Sequence, residues 1–308
     1  MIYDLIILGG GPAGTSAAVY ASRKRLKTLF ITAEFGGQST VSETIYNWIG
    51  TPEIGGMELG ENFKKHIIAN AGEYLEVKDG QKALSVAKNE NTFSVKTDAD
   101  TEFEGKTILI STGSGRRKLE AINADKLEHK GITYCASCDG PLFSGADVAV
   151  IGGGNAGFES AAQLLAYCNS VTLINRTDEF RADKITVDKV LSHPKMKTII
   201  NADILEVKGE KFVEGLIYQD QNTKETKELA VTGIFVEIGQ IPNTSLVKGL
   251  IEMDEVNRIK IDPWTNHTSV PGIWAAGDCT NILYHQNNIA AGDGVKALED
   301  IYLYLNAK

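Results

Sequence analysis

Leu5-Ile6-Ile7-Leu8-Gly9-Gly10-Gly11-Pro12-Ala13-Gly14 opens the chain, an apolar run that stops abruptly in glycine. Tyr3 to Leu8 reads as a short buried strand, Thr15 to Lys24 as a helix and Thr28 to Thr32 as the next strand. Strand, glycine loop, helix, strand is the context that turns G-x-G-x-x-G into a dinucleotide-binding signal. Gly9 allows the tight turn, Gly11 lets backbone approach a pyrophosphate, and Gly14 lets helix and strand pack closely. The helix N-terminus, entered through Pro12 and Ala13, then faces the phosphates. An acid for the ribose is usual where this second strand ends, but Thr32 stands there, with Glu34 nearby.

The same pattern returns 143 residues later. Asp147 to Ile151 reads as a strand, Gly152-Gly153-Gly154-Asn155-Ala156-Gly157 as the loop, Phe158 to Tyr167 as the helix and Ser170 to Asn175 as the following strand. Gly9 maps onto Gly152 and Thr32 onto Asn175. Two copies of one unit imply two nucleotides. Just before the second copy lies Tyr134-Cys135-Ala136-Ser137-Cys138-Asp139-Gly140. A dithiol beside a nucleotide site points to electrons passing from a pyridine nucleotide to a disulfide. The first loop supplies a place for a flavin between them.

A chain of 308 residues is too long for one ordinary core, so two domains are expected. Hydrophobic residues at 43% and charged residues at 23% fit a globular protein without membrane spans. A net charge of −9 argues against nucleic acid or an anionic membrane as partner. The N-terminus lacks a basic lead and a long apolar region, so no signal peptide is read and a cytoplasmic location is expected. There a Cys-x-x-Cys is more often catalytic or metal-binding than structural. A zinc site needs about four ligands, and Cys168 and Cys279 are not placed to join the pair, so no metal is assigned.

Thr107 to Ser111 reads as a buried strand running into Thr112-Gly113-Ser114-Gly115, where the first boundary is set. The second follows the strand Ile234 to Ile238, at Gly239 to Asn243. The tail contains a strand ending in Gly277-Asp278, then a helix from Asn287 to Leu305. It is too short to bury a core alone and is expected to return to the first domain. This gives residues 1–115 with 243–308 as one discontinuous domain, and 116–242 as a second inserted into it. Arg116-Arg117-Lys118 reads as a solvated run at the boundary. Trp48, Trp264 and Trp274 read as core or interface aromatics.

On these motifs, with Gly36-Gly37-Gln38, Asn47-Trp48-Ile49-Gly50 and Pro242-Asn243, the chain resembles low-molecular-weight bacterial and archaeal thioredoxin reductases almost end to end. The Cys-Ala-x-Cys-Asp-Gly motif is shared with the reductase half of alkyl hydroperoxide reductase, which Ile289 to Gly292 resembles slightly more. The resemblance implies an α/β protein of the FAD/NAD(P)-linked disulfide reductase type: two Rossmann-like domains, the FAD domain carrying the inserted NAD(P)H domain, in a homodimer. It implies that Cys138 lies nearest the flavin, Cys135 attacks a thioredoxin-like protein, and Asp139 moves the proton. Asp278 and Gln286 would hold FAD, with Gln38 and Asn47 lining it. Gly9, Gly11, Pro12, Ala13, Gly14, Gly37, Thr112, Gly113, Gly277, His285 and Asn287 complete that set. Gly152, Gly154, Asn155, Ala156, Arg176, Arg181 and Gly239 would hold the nicotinamide nucleotide.

The chain departs from the family at three places. Asn175-Arg176-Thr177 stands where His-Arg-Arg is usual, His285 replaces an Arg, and the second loop reads Asn155-Ala156-Gly157 rather than Asn-Thr-Ala. Asn175 does not repel a 2′-phosphate and Arg176 and Arg181 can bind one, while Asp178 and Glu179 oppose it. NADPH is therefore expected, with NADH close behind. Reduction of a peroxiredoxin system, reduction by ferredoxin or free flavin, and a non-catalytic redox sensor are the alternatives. Because one dithiol must meet both a flavin and a bulky protein, hinges are expected at the two crossings.

Overall fold

A computed structural model describes residues 1–42 and 44–307. Glu43 and Lys308, the latter closing the expected 243–308 segment, lie outside the described residues. The chain divides into two compact units, residues 1–115 with 241–308 and residues 116–240.

The first unit begins with β1 (Ile2–Gly10), α1 (Pro12–Arg23), β2 (Thr28–Phe35), α2 (Gly56–Ala71), β3 (Leu75–Asp79), β4 (Ala83–Lys88), β5 (Phe93–Thr97), β6 (Glu102–Ile110) and β7 (Ser114–Arg116). The second contains β8 (Ile132–Thr133), α3 (Ala136–Asp139), β9 (Asp147–Ile151), α4 (Asn155–Leu164), β10 (Ser170–Ile174), α5 (Lys184–Leu191), β11 (Met196–Ile199), β12 (Ala202–Lys208), β13 (Gly215–Asp220), β14 (Thr226–Leu229) and β15 (Gly233–Val236). The chain then passes through β16 (Gln240–Pro242) and returns with β17 (Ile273–Ala275) and α6 (Asn287–Asn306).

In the first unit β3, β2, β1, β6 and β17 run parallel. The antiparallel β4–β5 pair joins β6 along its first half. Parallel strands are covered on both faces and read as continuous apolar runs, and Leu5, Ile6, Ile7 and Leu8 are all fully buried. Leu5 and Ile7 pack with residues of α1 and α6, while Ile6 and Leu8 face the opposite cluster with Leu246 and Ile251. The second unit repeats this economy. Its parallel sheet has the order β11-β10-β9-β15-β8, and β12, β13 and β14 form a separate antiparallel sheet.

Both expected helices start earlier than the sequence pattern suggests, inside their glycine loops. Pro12 takes the first helical position of α1, where its fixed φ costs nothing. The second strand also outruns its expected end at Thr32: after a register shift, Gly10 pairs with Phe35. Of the tryptophans, Trp274 is wholly buried and Trp48 packs edge-on to Phe63. Trp264 lies outside the core, 85% exposed at a turn.

Candidate functional site

The two glycine loops have the same construction. Gly9 is left-handed at φ +115° and Gly152 at φ +126°. A side chain on either would meet backbone 2.3 Å away, at Ser111 O and Glu237 O respectively. At the third glycines, a Cβ on Gly14 would fall 1.9 Å from Gly9 O, and one on Gly157 2.0 Å from Gly152 O. The middle glycines differ: nothing stands within 4 Å of a Cβ on Gly11 or Gly154. Each loop is thus closed towards the protein and open where a phosphate would approach the helix amides.

In the first unit this open side borders a cavity of about 350 Å³. Gly9, Gly11, Pro12 and Ala13 line it from β1 and α1, and Gly37 and Gln38 from the turn after β2. Thr112, Gly113, Gly277, Asp278 and Asn287 line the remaining walls. Of the residues expected around a flavin, Gly14, Asn47, His285 and Gln286 are not in this lining. Gly14 lies behind the loop. Asn47 Nδ2 donates to Gln286 Oε1 at 3.2 Å, and Asn288 Nδ2 donates to Asn47 O at 2.7 Å. Ser39 Oγ donates to Asn287 Oδ1 at 3.1 Å. These contacts tie the segment after β2 to the start of α6. His285 Nε2 is buried with no hydrogen-bond partner among the described residues. An orphaned polar atom and an open glycine cradle are features that a flavin nucleotide would satisfy.

Sequence reasoning missed several walls. Lys82 and Ser245 line the cavity, as does Asn243, beside Thr32 and the Glu34 noted near the end of the second strand. Asn243 is held by Thr112, whose Oγ1 donates to Asn243 O at 2.6 Å, while Asn243 Nδ2 donates to Thr112 O at 3.0 Å. The Pro-Asn motif was the available signal for Asn243.

In the second unit Cys135 and Cys138 form a disulfide with Cα atoms 5.3 Å apart. The helical turn α3 brings them together, and Cys138 N donates to Cys135 Sγ at 3.1 Å. Asp139 N donates to Cys135 O at 3.0 Å, and the Asp139 carboxylate accepts from Thr133 Oγ1. Of the run expected to be solvated, Arg117 and Lys118 are exposed, but Arg116 is half-buried and its guanidinium donates to Tyr134 O beside the dithiol. A carbonyl at the end of short β8 needs a donor, and the guanidinium supplies it. Cys168 and Cys279 are both buried and free. Burial raises the Cys168 thiol's pKa and pushes that of Cys279 up to about 11.

The nucleotide loop of this unit is braced by its neighbours. Arg181 N donates to Gly153 O at 2.8 Å, and Asn155 Oδ1 accepts from Asp183 N at 2.9 Å. Asn175 points its amide into its own loop, donating to Thr177 O at 3.0 Å and Glu179 O at 2.9 Å. Arg176 is mostly exposed, with Nε 3.9 Å from Asp203. Gly239 is left-handed at φ +105°. Glu237 went unnoticed in the sequence. It accepts from Ser160 Oγ at 2.6 Å, and burial pushes its carboxyl up to about 7.

Comparison with known proteins agrees with this construction. A family model described as pyridine nucleotide-disulphide oxidoreductase matches residues 3–294. The chain is 40% identical over 304 residues to an alkyl hydroperoxide reductase protein of Staphylococcus aureus, covering 98% of this chain and 59% of that protein. It is 36% identical over 304 residues to an NADH dehydrogenase of Bacillus subtilis, covering 98% and 58%. The chain therefore spans somewhat under two thirds of the length of these curated relatives. A solved structure of thioredoxin reductase from Streptococcus pyogenes matches with TM-score 0.90 at 31% identity, covering 100% of this chain and 99% of that one. No helix among the described residues is long and apolar enough to cross a membrane.

Proposed function

The chain belongs to the pyridine nucleotide-disulphide oxidoreductase family, and from that premise we propose that it is an FAD-dependent reductase carrying electrons from NAD(P)H to a thioredoxin-like protein disulfide. The observation that carries this reading is the Cys135–Cys138 disulfide in the same compact unit as the second open glycine loop. FAD, when bound, accepts two electrons from the reduced nucleotide and delivers them to a disulfide.

Gly9, Gly11, Gly14 and the N-terminus of α1 receive the FAD diphosphate. Gln38, Thr112, Gly113, Asp278 and Asn287 line its cavity, with His285, Gln286 and Asn47 behind that lining. Gly152, Gly154, Asn155, Ala156 and Gly239 receive the nicotinamide nucleotide. Arg176 and Arg181 favour NADPH, while Asp178 and Glu179 keep NADH close.

Once the pair is reduced, the Cys135 thiolate attacks the partner's disulfide and displaces one of its sulfurs as a thiolate. Cys138 then attacks Cys135 of the mixed disulfide. This reforms the intramolecular bond and releases the second partner thiolate. Asp139 sits one residue beyond and takes or returns the proton, oriented by Thr133. Gly113 and Gly239 are left-handed at φ +64° and +105° and are the backbone positions assigned to the expected hinge. A homodimer and a cytoplasmic location complete the proposal; a dithiol that must be reduced in every cycle suits a reducing compartment.

The test is an anaerobic bleach of the yellow protein with NADPH and then NADH, followed by turnover on a thioredoxin. Cys135→Ser and Cys138→Ser should each still bleach yet lose turnover on the protein disulfide. A double Ser variant that keeps that turnover removes the dithiol from the mechanism. Bleaching by neither nucleotide removes the donor.

A further inference from the structure

The strand, glycine loop, helix and strand that open each unit are sequence repeats, and the repeat gives Glu237 an address. Ser111 directly follows β6 in the first unit, and its N–H donates to Leu8 O at 2.9 Å. Glu237 directly follows β15 in the second, and its N–H donates to Ile151 O at 2.8 Å. Leu8 and Ile151 are equivalent, as are Gly9 and Gly152, which would touch Ser111 O and Glu237 O at the same 2.3 Å. Ser111 lines the first cavity. Glu237 therefore occupies the corresponding backbone position beside the second crevice; where the Ser111 hydroxyl turns back onto Leu8 O and Gly9 O, the longer Glu237 side chain reaches Ser160 on α4.

That position lies on the nicotinamide side. β9 is flanked by β10 on one edge and β15 on the other, so the strand order switches between β9 and β15. Dinucleotides cross such a switch point with the diphosphate over the glycine loop and the adenosine ribose at the end of the strand that follows the helix. That strand is β10. The other half of the molecule must then extend over the end of β15, which Glu237 directly follows.

We infer that Glu237, braced by Ser160, contacts the nicotinamide-ribosyl half of the dinucleotide as a neutral acid and takes up a proton as the nucleotide binds. Two features set the sign. The diphosphate brings negative charge to Gly152, adjacent in space to Glu237, and the nucleotide excludes water from a carboxyl that is already largely desolvated. Both disfavour the carboxylate. The charged groups facing it divide: Glu159 on α4 also favours the neutral form, while Arg116 opposes it, as does the Ser160 bond. β9 beyond Asp147 and the loop after it carry no titratable side chain. With ionisation near 7, protonation is nearly complete at pH 6 and costs about tenfold in affinity at pH 8.

This inference rests on the reading that residues 116–240 bind a pyridine nucleotide, and the experiment separates the two. Oxidised NAD and NADP, which leave the flavin unreduced, are titrated calorimetrically into the flavin-loaded enzyme at pH 6, 7 and 8. Buffers of different ionisation enthalpy report proton uptake. The wild type should take up a substantial fraction of a proton at pH 7–8 and lose about tenfold in affinity from pH 6 to pH 8. E237Q, a neutral isostere, should bind NAD, which has no phosphate titrating in this range, at every pH as the wild type binds at pH 6, with no proton uptake. AMP, which lacks the nicotinamide half and whose own phosphate titrates at about 6, should bind both proteins equally at each pH, with the same slope in both. A purely structural Glu237 would weaken AMP and dinucleotide together. Retention of the wild-type pH slope in E237Q, or an equal loss for AMP, overturns the inference while leaving nucleotide binding intact. Failure of the wild type to bind either dinucleotide overturns both.

Discussion

Replacing Gly152 with Ala tests the nucleotide loop through a single methyl group. That methyl would fall 2.3 Å from Glu237 O, whereas real Cβ atoms stay beyond 3.0 Å, and Gly152 is left-handed at φ +126°, so the turn into α4 must shift by at least about 0.7 Å. An amide that sat about 2.9 Å from a phosphate oxygen is then near 3.6 Å and no longer bonds it. Each bond to a charged group contributes about 1.5–3 kcal/mol. Losing two weakens nucleotide binding by about 3–6 kcal/mol, a factor of roughly 10² to 10⁴. Overpacking and the left-handed φ each destabilise the fold by ~1–3 kcal/mol, which a melting curve records separately. Gly9→Ala is the mirror experiment, since its methyl would lie 2.3 Å from Ser111 O at a φ of +115°. The two variants should fail in opposite ways: Gly152→Ala purifies yellow with a greatly raised nucleotide Kd, and Gly9→Ala purifies largely colourless. A folded Gly152→Ala protein whose nucleotide affinity stays within about threefold of wild type would refute the placement of phosphates on this loop.

Arg176→Ala should raise the KM for NADPH about tenfold, the size of one solvent-exposed phosphate contact, and leave the KM for NADH unchanged. A wild type that prefers NADH in initial-rate assays refutes the charge reading at this corner. Asp300 Oδ2 accepts from Trp274 Nε1 at 2.9 Å and lies 2.7 Å from His267 Nε2. Asp300→Ala should therefore cost about 1–3 kcal/mol by stranding the indole N–H, read as a drop of several degrees in Tm. An unchanged Tm would show that water replaces the acceptor. Because Cys279 ionises only near pH 11, its thiolate is scarce at pH 8. Iodoacetamide on the folded, reduced enzyme should then modify Cys135 and Cys138 and spare Cys168 and Cys279 until denaturant is added. Labelling of Cys279 in the folded protein would contradict its burial.

Much of this molecule is written in short contiguous strings. Leu5 to Gly14 and Val148 to Gly157 each carry their fold locally, because a buried strand, a tight turn and a helix start all need particular residues within one short stretch. The Cys135–Cys138 spacing does the same for the dithiol, since one turn of α3 suffices to join the sulfurs. Helix starts were less legible, because Pro12 and Asn155 look like loop residues until the amides behind them are seen to be helical.

The remainder depended on contacts between distant parts of the chain. Ser39 meets Asn287 across 248 positions, and Ser160 meets Glu237 across 77. Arg116 looked like one member of a charged run, and only the folded unit shows its guanidinium on Tyr134 O. The linear order determined which residues could bend, bond a phosphate or exchange sulfur, for those are properties of the residue and its neighbours. Which polar groups share one wall, and at what acidity Glu237 ionises, was decided by the tertiary structure, because desolvation belongs to a place in space and not to a position in a sequence.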